Sequence, residues 1–460
     1  MLIQERHLSS NIEPEDWLEA QIKAHHDSEI NNLSIPMKAN GTAYQIEDLY
    51  DDQKYFAYLV LSKLKEWMTC DDLNTFKPLR VILNGQAGCG KSVVLNTISA
   101  VIRTFFQYNN TNKQTAPTGV SACNVGGETL QTFSAQKKLR GEYIAGSMSQ
   151  DDCDYLSIRL KHLLCLIIDE RSMVTSKLLG TTEQRVTETI YSGRGLPQHS
   201  WGGIPVVILA GDDYQLPGIQ EGAFHVLQRV DGSKMTQRGR QLFRESANCV
   251  YKLPTVRRIC DSQQADKDLM ARLRTGNAIT DADVEKLQSL HLDNIERKHG
   301  SAVVEKIKDQ SVFLFWTNEK RIKHNIMMLS RMNTPENPTA ILKPRSSGRI
   351  GKAISRHFDS DVPKSTLLCI GAKVSLQGRN FKPSWGLHNG ACGTCCEIVF
   401  AQGQNPNHGA LPRYVVVDFP QYTGPSWDLD NPTVRTVCVL PFSLEYLTSS
   451  FFPFSTFLSL

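Results

Sequence analysis

Short apolar runs, each ending at a glycine or an aspartate, mark the first half of the chain. The runs are Val81–Leu83, Leu163–Ile168 and Val206–Ala210. Continuous runs of this kind are typical of parallel strands buried on both faces, with helices between them. Ahead of them, Tyr50–Trp67 has apolar residues at helical spacing, which predicts an amphipathic helix. The pattern therefore predicts an α/β fold built on a parallel sheet.

Changes of composition divide the chain into four predicted parts. The first is a polar, proline-broken extension, and the second contains the apolar runs together with a small polar insertion. The third begins with a charged helical stretch and includes a segment rich in proline, serine and arginine, and the last is a tail without charge. The parts are residues 1–45, residues 46–249 with the insertion at 136–154, residues 250–445 with the rich segment at 331–365, and residues 446–460.

Composition narrows the class of protein only a little. The 460 residues are 40% hydrophobic and 21% charged with a net charge of +4, which is typical of globular chains. A mild positive charge permits nucleic acid as a partner without indicating it. Acidic residues near the start argue against a signal or transit peptide. The 12 cysteines are therefore expected to be reduced. No apolar run approaches the roughly 20 residues needed to span a bilayer, so we predict no membrane contact.

The most specific motif follows the first apolar run. Residues 85–92 fit G-x-x-x-x-G-K-[ST], and a helical pattern comes after them. Glycines let backbone N–H groups surround phosphate oxygens, while the lysine supplies charge and the serine hydroxyl ligates Mg²⁺. The motif predicts an ATP and Mg²⁺ site formed by Gly85, Gln86, Ala87, Gly88, Cys89, Gly90, Lys91 and Ser92.

Two acidic residues end the second run. A strand that ends beside the phosphate-binding loop would place Asp169 near the magnesium ion and Glu170 beside the attacking water. A general base at that position is worth about 10²–10⁴ in rate. The alternative is a solvated acidic turn, which is common at strand ends.

Two further strand ends carry weaker signals. Gln215, in the segment GDDYQLP after the third run, is placed to contact the γ-phosphate or the water, because polar residues leaving such strands face the ligand crevice. A turn with a buried Leu-Pro is the alternative. Pro117, Thr118 and Gly119 offer a hydroxyl and exposed backbone suited to nucleic-acid phosphates, or are a plain turn.

In their order, these motifs resemble superfamily-one DNA helicases of the petite-integration-frequency (Pif) family, and versions carried by Helitron-type transposons look closest. The segments that carry the resemblance are GQAGCGKS, TAPTGVSACNVGGETLQTF, IIDERSM, LAGDDYQLP and the later IGAKVSLQGRNFKPSWGLHNGACGT. The resemblance covers about residues 50–420. It implies a P-loop NTPase with a RecA-like parallel sheet, followed by an incomplete second RecA-like domain with an inserted small β-rich subdomain.

The resemblance also implies roles for residues that spacing alone does not single out. Gln53 looks like the glutamine that reads adenine. Arg257 looks like the arginine that reaches across the cleft between domains to the γ-phosphate. Gln131 stands where the family usually has a histidine beside the DNA path, and Arg258 replaces a usual glutamine. The catalytic set implied in this way is Lys91, Asp169, Glu170, Gln215 and Arg257.

The function implied is ATP-dependent unwinding of DNA with 5′→3′ polarity, acting on single-stranded and duplex DNA. The family's roles are in repair, recombination and telomere maintenance, and its location is nuclear, with mitochondria as the alternative. Two late motifs of the family, V and VI, are missing from residues 420–460. A truncated module that binds ATP and DNA without unwinding is therefore the alternative. A nucleotide kinase or a transport ATPase is disfavoured by GDDYQLP.

Three cysteines close together raise one more alternative. Cys392, Cys395 and Cys396 include a Cys-x-x-Cys pair that could hold zinc. Zinc needs four ligands, and no second Cys/His pair occurs at a suitable spacing. Core packing is the favoured interpretation.

Overall fold

The computed structural model describes most of residues 44–457. Its gaps are residues 108–109, 137, 140–141, 144–147, 195–198, 219–231, 344, 347–364, 377–384, 389, 402, 404–409, 425–434, 441 and 445–454. The predicted N-terminal extension and most of the predicted tail lie outside the described residues. The chain divides into two units, residues 1–267 and residues 268–460.

A six-stranded parallel sheet forms the centre of the first unit, in the order β3–β2–β6–β7–β1–β8. Its strands are β1 (Leu79–Gly85), β2 (Asn112–Ala116), β3 (Glu128–Thr129), β6 (Cys165–Ile168), β7 (Val206–Gly211) and β8 (Val250–Leu253). A two-stranded hairpin, β4 (Lys138–Leu139) and β5 (Glu142–Tyr143), lies where the small insertion is predicted. The predicted parallel α/β sheet is confirmed.

Helices cover both faces of this sheet. They are α1 (Asp51–Thr69), α2 (Lys91–Phe106), α3 (Gly119–Asn124), α4 (Leu130–Phe133), α5 (Gln150–Leu160), α6 (Ser176–Arg194) and α7 (Lys234–Ala247). Successive residues of β1 point to opposite faces, so Val81 and Leu83 pack with α1 and α2, whereas Ile82 packs with α5, α6 and α7. Burial on both faces explains why these strands are continuous apolar runs.

The boundary predicted at residue 250 is wrong. Strand β8 pairs in parallel with β1, with Leu83 opposite Tyr251, and is therefore the edge strand of the first sheet. The two units divide after Lys267 instead. The composition changes near residue 250 because β8 lies at the edge of the sheet. An edge strand is paired on one side only and is more exposed, so it is less apolar than the central strands.

The second unit combines helices with small antiparallel sheets. Its helices are α8 (Gln264–Thr275), which starts before the division, α9 (Asp281–Ser289), α10 (Leu292–His299), α11 (Ser301–Gln310) and α12 (Asn318–Met332). Its strands are β9 (Ala340–Leu342), β10 (Arg345–Ser346), β11 (Thr366–Leu368), β12 (Lys373–Ser375), β13 (Cys392–Val399), β14 (Tyr414–Asp418), β15 (Thr436–Val439), β16 (Phe442–Leu444) and β17 (Ser455–Phe457). They form sheets ordered β12–β13–β14–β15, β10–β17–β16 and β11–β9.

Every strand pair described in the second unit is antiparallel. These described pairs belong to the predicted β-rich part, and the partial second RecA-like domain stays a prediction. The predicted β-rich part is present, and it extends over most of the unit.

One apolar stretch of the second unit lies open to solvent. Ser311–Trp316 connects α11 to α12, and Val312, Leu314 and Trp316 are 89%, 93% and 98% exposed. On its other side, Phe313 and Phe315 pack against the ring of His324, with centroid distances of 4.3 and 5.0 Å. Among the described residues, no strand pairs with this stretch.

Candidate nucleotide site

The loop between β1 and α2 is shaped by glycines in left-handed conformations. Gly88 and Gly90 have φ angles of 85° and 88°, which side chains other than glycine rarely adopt. A Cβ atom on Gly88 would lie 2.6 Å from the Cβ of Arg258, and one on Gly90 would collide with the side-chain amide of Gln53. The loop therefore requires glycine at both positions, for its turns and for its close neighbours.

Lys91 folds back into this loop at the start of α2. Its Nζ donates to the carbonyl oxygens of Gly85 and Gln86 at 2.6 and 3.3 Å. Ser92 follows in the first helical turn with an exposed side chain, and Cys89 is buried inside the loop. A cation within a glycine loop at a helix N-terminus is the arrangement that binds the phosphates of a nucleotide, so the residues fit ATP.

The acidic pair follows the end of β6, two strands away from β1 in the sheet. Asp169 is 5% exposed, and its Oδ1 accepts from the backbone N–H of Glu170 at 2.9 Å. Burial raises the pKa of both carboxyls, while the nearby Lys91 ammonium lowers the pKa of both. Negative charge from Asp169 and Asp212 raises the pKa of Glu170 further. Strand β7, between β6 and β1, ends at Gly211 just before Asp212. Because β6, β7 and β1 are neighbouring parallel strands, the predicted acids and Lys91 lie at the same edge of the sheet, where the carboxyl ends of these strands meet.

Glu170 has a strained backbone. Its φ and ψ angles of 50° and 43° lie in the left-handed region, which costs a residue other than glycine or asparagine about 1–2 kcal/mol. A short 3₁₀ turn follows, in which Met173 N–H donates to the Glu170 carbonyl at 3.0 Å. Such strain persists only where the surroundings hold it, and it is frequent at functional sites.

A polar bridge that the sequence analysis missed joins three strand ends. Asp213 receives a hydrogen bond from Asn84 Nδ2 at 2.9 Å and pairs with Arg171 Nη1 at 2.5 Å. The guanidinium of Arg171 is buried and lies 5.9 Å from the centre of the Phe243 ring. Gln215 follows two residues later, half-buried, with its N–H donating to the Asp212 carbonyl at 3.1 Å. A charged residue directly after the acidic pair is the only sequence signal for this bridge.

The residues predicted to contact adenine and the γ-phosphate meet on one side of the loop. Gln53 Nε2 donates to the Cys89 carbonyl at 3.2 Å, and Gln53 Oε1 accepts from Tyr50 N–H at 3.1 Å. Arg257 belongs to the first unit, donates to the same carbonyl at 3.2 Å and pairs with Asp52 at 2.6 Å. Its guanidinium lies 4.0 Å from the centre of the Tyr50 ring.

The location predicted for Arg257, in a second domain across a cleft, is therefore wrong. The reason is that the backbone of this segment docks on the loop itself: the N–H groups of Arg257 and Arg258 donate to the Gly88 carbonyl at 2.9 and 3.2 Å. The contribution of Tyr50 and Asp52 was not predicted. An exposed tyrosine and an acidic residue at a helix start are too common to single out from sequence.

The residues predicted to contact DNA lie at the far edge of the same sheet. Pro117 and Thr118 follow β2, and Gly119 begins α3, where Thr118 Oγ1 accepts from Ser121 N–H at 3.2 Å. All three are partly exposed. Gln131 lies in α4, and its Oε1 is buried with no hydrogen-bond partner among the described residues. The structure does not bring this set to the phosphate-binding loop.

Metal and membrane sites are limited in the described part of the chain. It contains no group of three or more His, Cys, Asp or Glu side chains that could hold a metal ion by themselves. Cys395 is buried in the core of the second unit, while Cys392 and Cys396 are exposed on β13. Mg²⁺ bound with a nucleotide needs only one or two protein ligands, so Ser92 and Asp169 still suit it. None of the helices described is long and apolar enough to cross a membrane.

The parallel sheet, the glycine loop with Lys91 and the acidic pair define a P-loop nucleotide-binding protein. Residues 69–269 match the sequence model of a family described as PIF1-like helicase. Relatives named ATP-dependent DNA helicase PIF1 from Xenopus laevis and RRM3 from Saccharomyces cerevisiae are each 28% identical, over 332 and 303 residues. These matches cover 70% and 62% of this chain. Over residues 69–269 the chain is therefore similar to PIF1-like helicases.

Solved structures support the fold. The crystal structure of Pif1 helicase from Candida albicans has a TM-score of 0.56 at 24% identity, covering 86% of this chain and 79% of that one. The chain spans 45% of the Xenopus relative and 37% of the yeast relative, less than half of each. The likeness to Helitron-type versions and the truncation stay predictions.

Proposed function

We propose that this chain is an ATP-dependent DNA helicase that binds ATP with Mg²⁺ in the first unit and couples its hydrolysis to movement along single-stranded DNA. The observation that carries the proposal is the meeting of Lys91, inside a glycine loop, with Asp169 and Glu170 at the carboxyl ends of one sheet. The similarity to relatives named ATP-dependent DNA helicase supports the same reaction.

Each residue has a proposed task. Backbone N–H groups of Gly85–Gly90 hold the phosphates, Lys91 neutralises their charge, and Ser92 and Asp169 hold Mg²⁺, which supplies Lewis-acid stabilisation of the phosphates when bound. Glu170 accepts a proton from the attacking water, and its raised pKa brings it closer to the range of an effective base. Gln215 orients the water or the γ-phosphate, Gln53 reads adenine, and Arg257 contacts the nucleotide once its pairing with Asp52 is released.

The proposed partners are single-stranded and duplex DNA. Pro117, Thr118, Gly119 and Gln131 form the DNA contact of the first unit, because the partly exposed residues after β2 offer a hydroxyl and backbone groups to the phosphates. Polarity of 5′→3′, roles in repair, recombination and telomere maintenance, and a nuclear location, with mitochondria as the alternative, complete the proposal. The oligomeric state is not part of it.

Steady-state ATP hydrolysis, with and without single-stranded DNA, tests this function. We expect DNA-stimulated hydrolysis that is lost in Lys91→Ala, because the variant lacks the cation within the loop. An unwinding assay on a duplex with a 5′ single-stranded tail follows. Hydrolysis unchanged in Lys91→Ala would refute the assigned site.

A second candidate is binding of ATP and DNA without unwinding. It is favoured by the exclusively antiparallel pairing described in the second unit, because a helicase of this class steps by closing two parallel-sheet domains on ATP. Nucleotide-dependent DNA affinity without strand separation in the same assays would select this candidate.

A further inference from the structure

The bridge of Asn84, Asp213 and Arg171 connects the turns that carry the proposed catalytic groups. Asn84 directly precedes the glycine loop, Arg171 directly follows Glu170, and Asp213 lies two residues before Gln215. The bonds that join them, Asn84 Nδ2 to Asp213 Oδ2 and Arg171 Nη1 to Asp213 Oδ1, measure 2.9 and 2.5 Å. Three separate strand ends therefore share one hydrogen-bonded carboxylate.

The side chain of Arg171 is buried, as expected of a residue that holds neighbouring segments in place. Its side chain is 3% exposed, against 33% for that of Asp213. The aliphatic part lies against the end of β7, where a Cβ atom on Gly211 would be 2.8 Å from Arg171 Cγ. The guanidinium then reaches past Phe243 to Asp213. Glycine at position 211 leaves the room that lets this arginine cross between the two turns.

The strained backbone of Glu170 needs a restraint, and the neighbouring Arg171 can provide it. A left-handed glutamate relaxes toward commoner backbone angles unless its neighbours prevent it. The residue after Glu170 is fixed at both ends, through its buried side chain and through its carbonyl, which accepts from Val174 N–H at 3.0 Å.

We propose that Arg171 and Asp213 are positioning residues, which act as one unit to hold Glu170 and Gln215 in register with the phosphate-binding loop. The pair touches no nucleotide in this role. It fixes the distance between the base on one strand end and the water-orienting amide on the next. The proposal rests on the function proposed above, because that function assigns the tasks of Glu170 and Gln215.

Arg171→Met and Asp213→Asn test the pair by the division of their effect between kcat and KM. We expect kcat for ATP hydrolysis to fall about 10- to 100-fold in each variant, since a displacement of about 1 Å at a reacting group has a cost of this size. The KM for ATP and the affinity for ADP should stay within about twofold, because the glycine loop and Lys91 are unchanged. The double variant should lose no more activity than the more impaired of the two single variants. The reason is that the effects of residues acting as one unit are not additive.

Arg159→Met is the matched control. Arg159 also forms an ion pair measuring 2.5 Å, with Glu128, and lies 5.2 Å from the centre of an aromatic ring, that of Tyr155. It belongs to the same unit, on α5, and has no contact with the three strand ends. We expect this variant to lose stability as Arg171→Met does and to keep kcat. Equal loss of kcat in both variants would reduce the bridge to a general structural role and overturn the proposal.

Hydrogen exchange of the full chain separates this proposal from the proposed function. In Arg171→Met and Asp213→Asn, amides of residues 170–174 and 212–216 should exchange faster than in the parent chain, while Arg159→Met leaves both turns unchanged. If the parent chain hydrolyses no ATP, the proposed function fails, and hydrogen exchange alone tests whether Arg171 and Asp213 hold the two turns in place. Faster exchange in both turns supports it, whereas unchanged exchange in either turn overturns it.

Discussion

Substitution of Glu170 should separate strain from charge at the proposed base. Glu170→Gln keeps the left-handed backbone and removes the charge, whereas Glu170→Gly removes both the charge and the strain. Relief of strain is worth about 1–2 kcal/mol, and the greater freedom of glycine in the unfolded chain takes back about 0.4–1 kcal/mol. We therefore expect Glu170→Gly to be more stable than Glu170→Gln by about 0.8 kcal/mol, within a range of about 0–1.6 kcal/mol.

The charge contributes a separate effect that depends on pH. Burial, as the largest cause, raises the pKa of Glu170 above its ordinary value of 4.5, so the folded state binds the proton more tightly than the unfolded chain does. The folded state is then penalised as pH rises through that raised pKa, and the penalty is absent below the unfolded pKa. Glu170→Gln should accordingly be more stable than the parent chain at pH 8 and should lose this advantage at about pH 4.

Chemical denaturation of the full chain measures both effects, with ATP hydrolysis measured in parallel. Trp67 and Trp201 are buried in the first unit, so their fluorescence follows its unfolding. Both variants should lose turnover at least about a hundredfold, because the general base is gone, and keep their affinity for ATP. A Glu170→Gly variant less stable than Glu170→Gln would refute the assignment of strain. Unchanged turnover in Glu170→Gln would refute the assignment of the base.

Three further predictions follow from particular contacts. Gly90→Ala should lower ATP affinity at least about tenfold and cost about 1–2 kcal/mol of stability, because the new Cβ atom collides with Gln53 and the φ angle is 88°. The control is Gly276→Ala, whose φ angle is 70° and whose Cβ atom would have no neighbour within 4 Å. A binding titration should show that this control retains its affinity for ATP. Gln53→Met should reduce the preference for ATP over GTP about tenfold, equivalent to one hydrogen bond of about 1.4 kcal/mol, and an unchanged preference in competition binding would disprove the adenine contact. The Arg272 guanidinium lowers the pKa of Asp283 below its ordinary value of 3.8. Asp283→Asn should therefore destabilise the second unit at pH 7, and progressively less as the pH falls below 3.8. A loss of stability that does not depend on pH in denaturation curves would contradict this prediction.

Local signals made the phosphate-binding loop predictable from sequence. The glycine pattern, Lys91 and Ser92 are contiguous, so the motif and its geometry coincide. The acidic pair was predictable as well, because the end of a buried strand fixes where the next residues emerge. The role of the edge strand β8 was not, since its partner β1 lies some 170 residues earlier in the chain and pairing over that distance leaves no local trace.

Contacts between distant segments account for what the sequence did not predict at the site. Gln53 was expected beside a nucleotide, and its hydrogen bond to the Cys89 carbonyl depends on how α1 packs against the loop. Arg257 and Asp52 are about 200 residues apart, and their ion pair follows only from the position of β8. The antiparallel pairing of the second unit also joins strands that are distant along the chain, such as β9 and β11, and a pattern of apolar runs does not reveal such pairs.

The open stretch Ser311–Trp316 bears on how the purified protein will behave. Six uncharged residues, rich in aromatic and branched side chains, lie between two helices with three large apolar side chains exposed, and segments of this composition are prone to associate with other molecules. Charged residues flank it closely, with Asp309 before it and Glu319 after it, and such flanking charges oppose self-association. We therefore expect self-association of the purified protein to increase with protein concentration and with salt concentration, since salt screens the repulsion between the flanking charges.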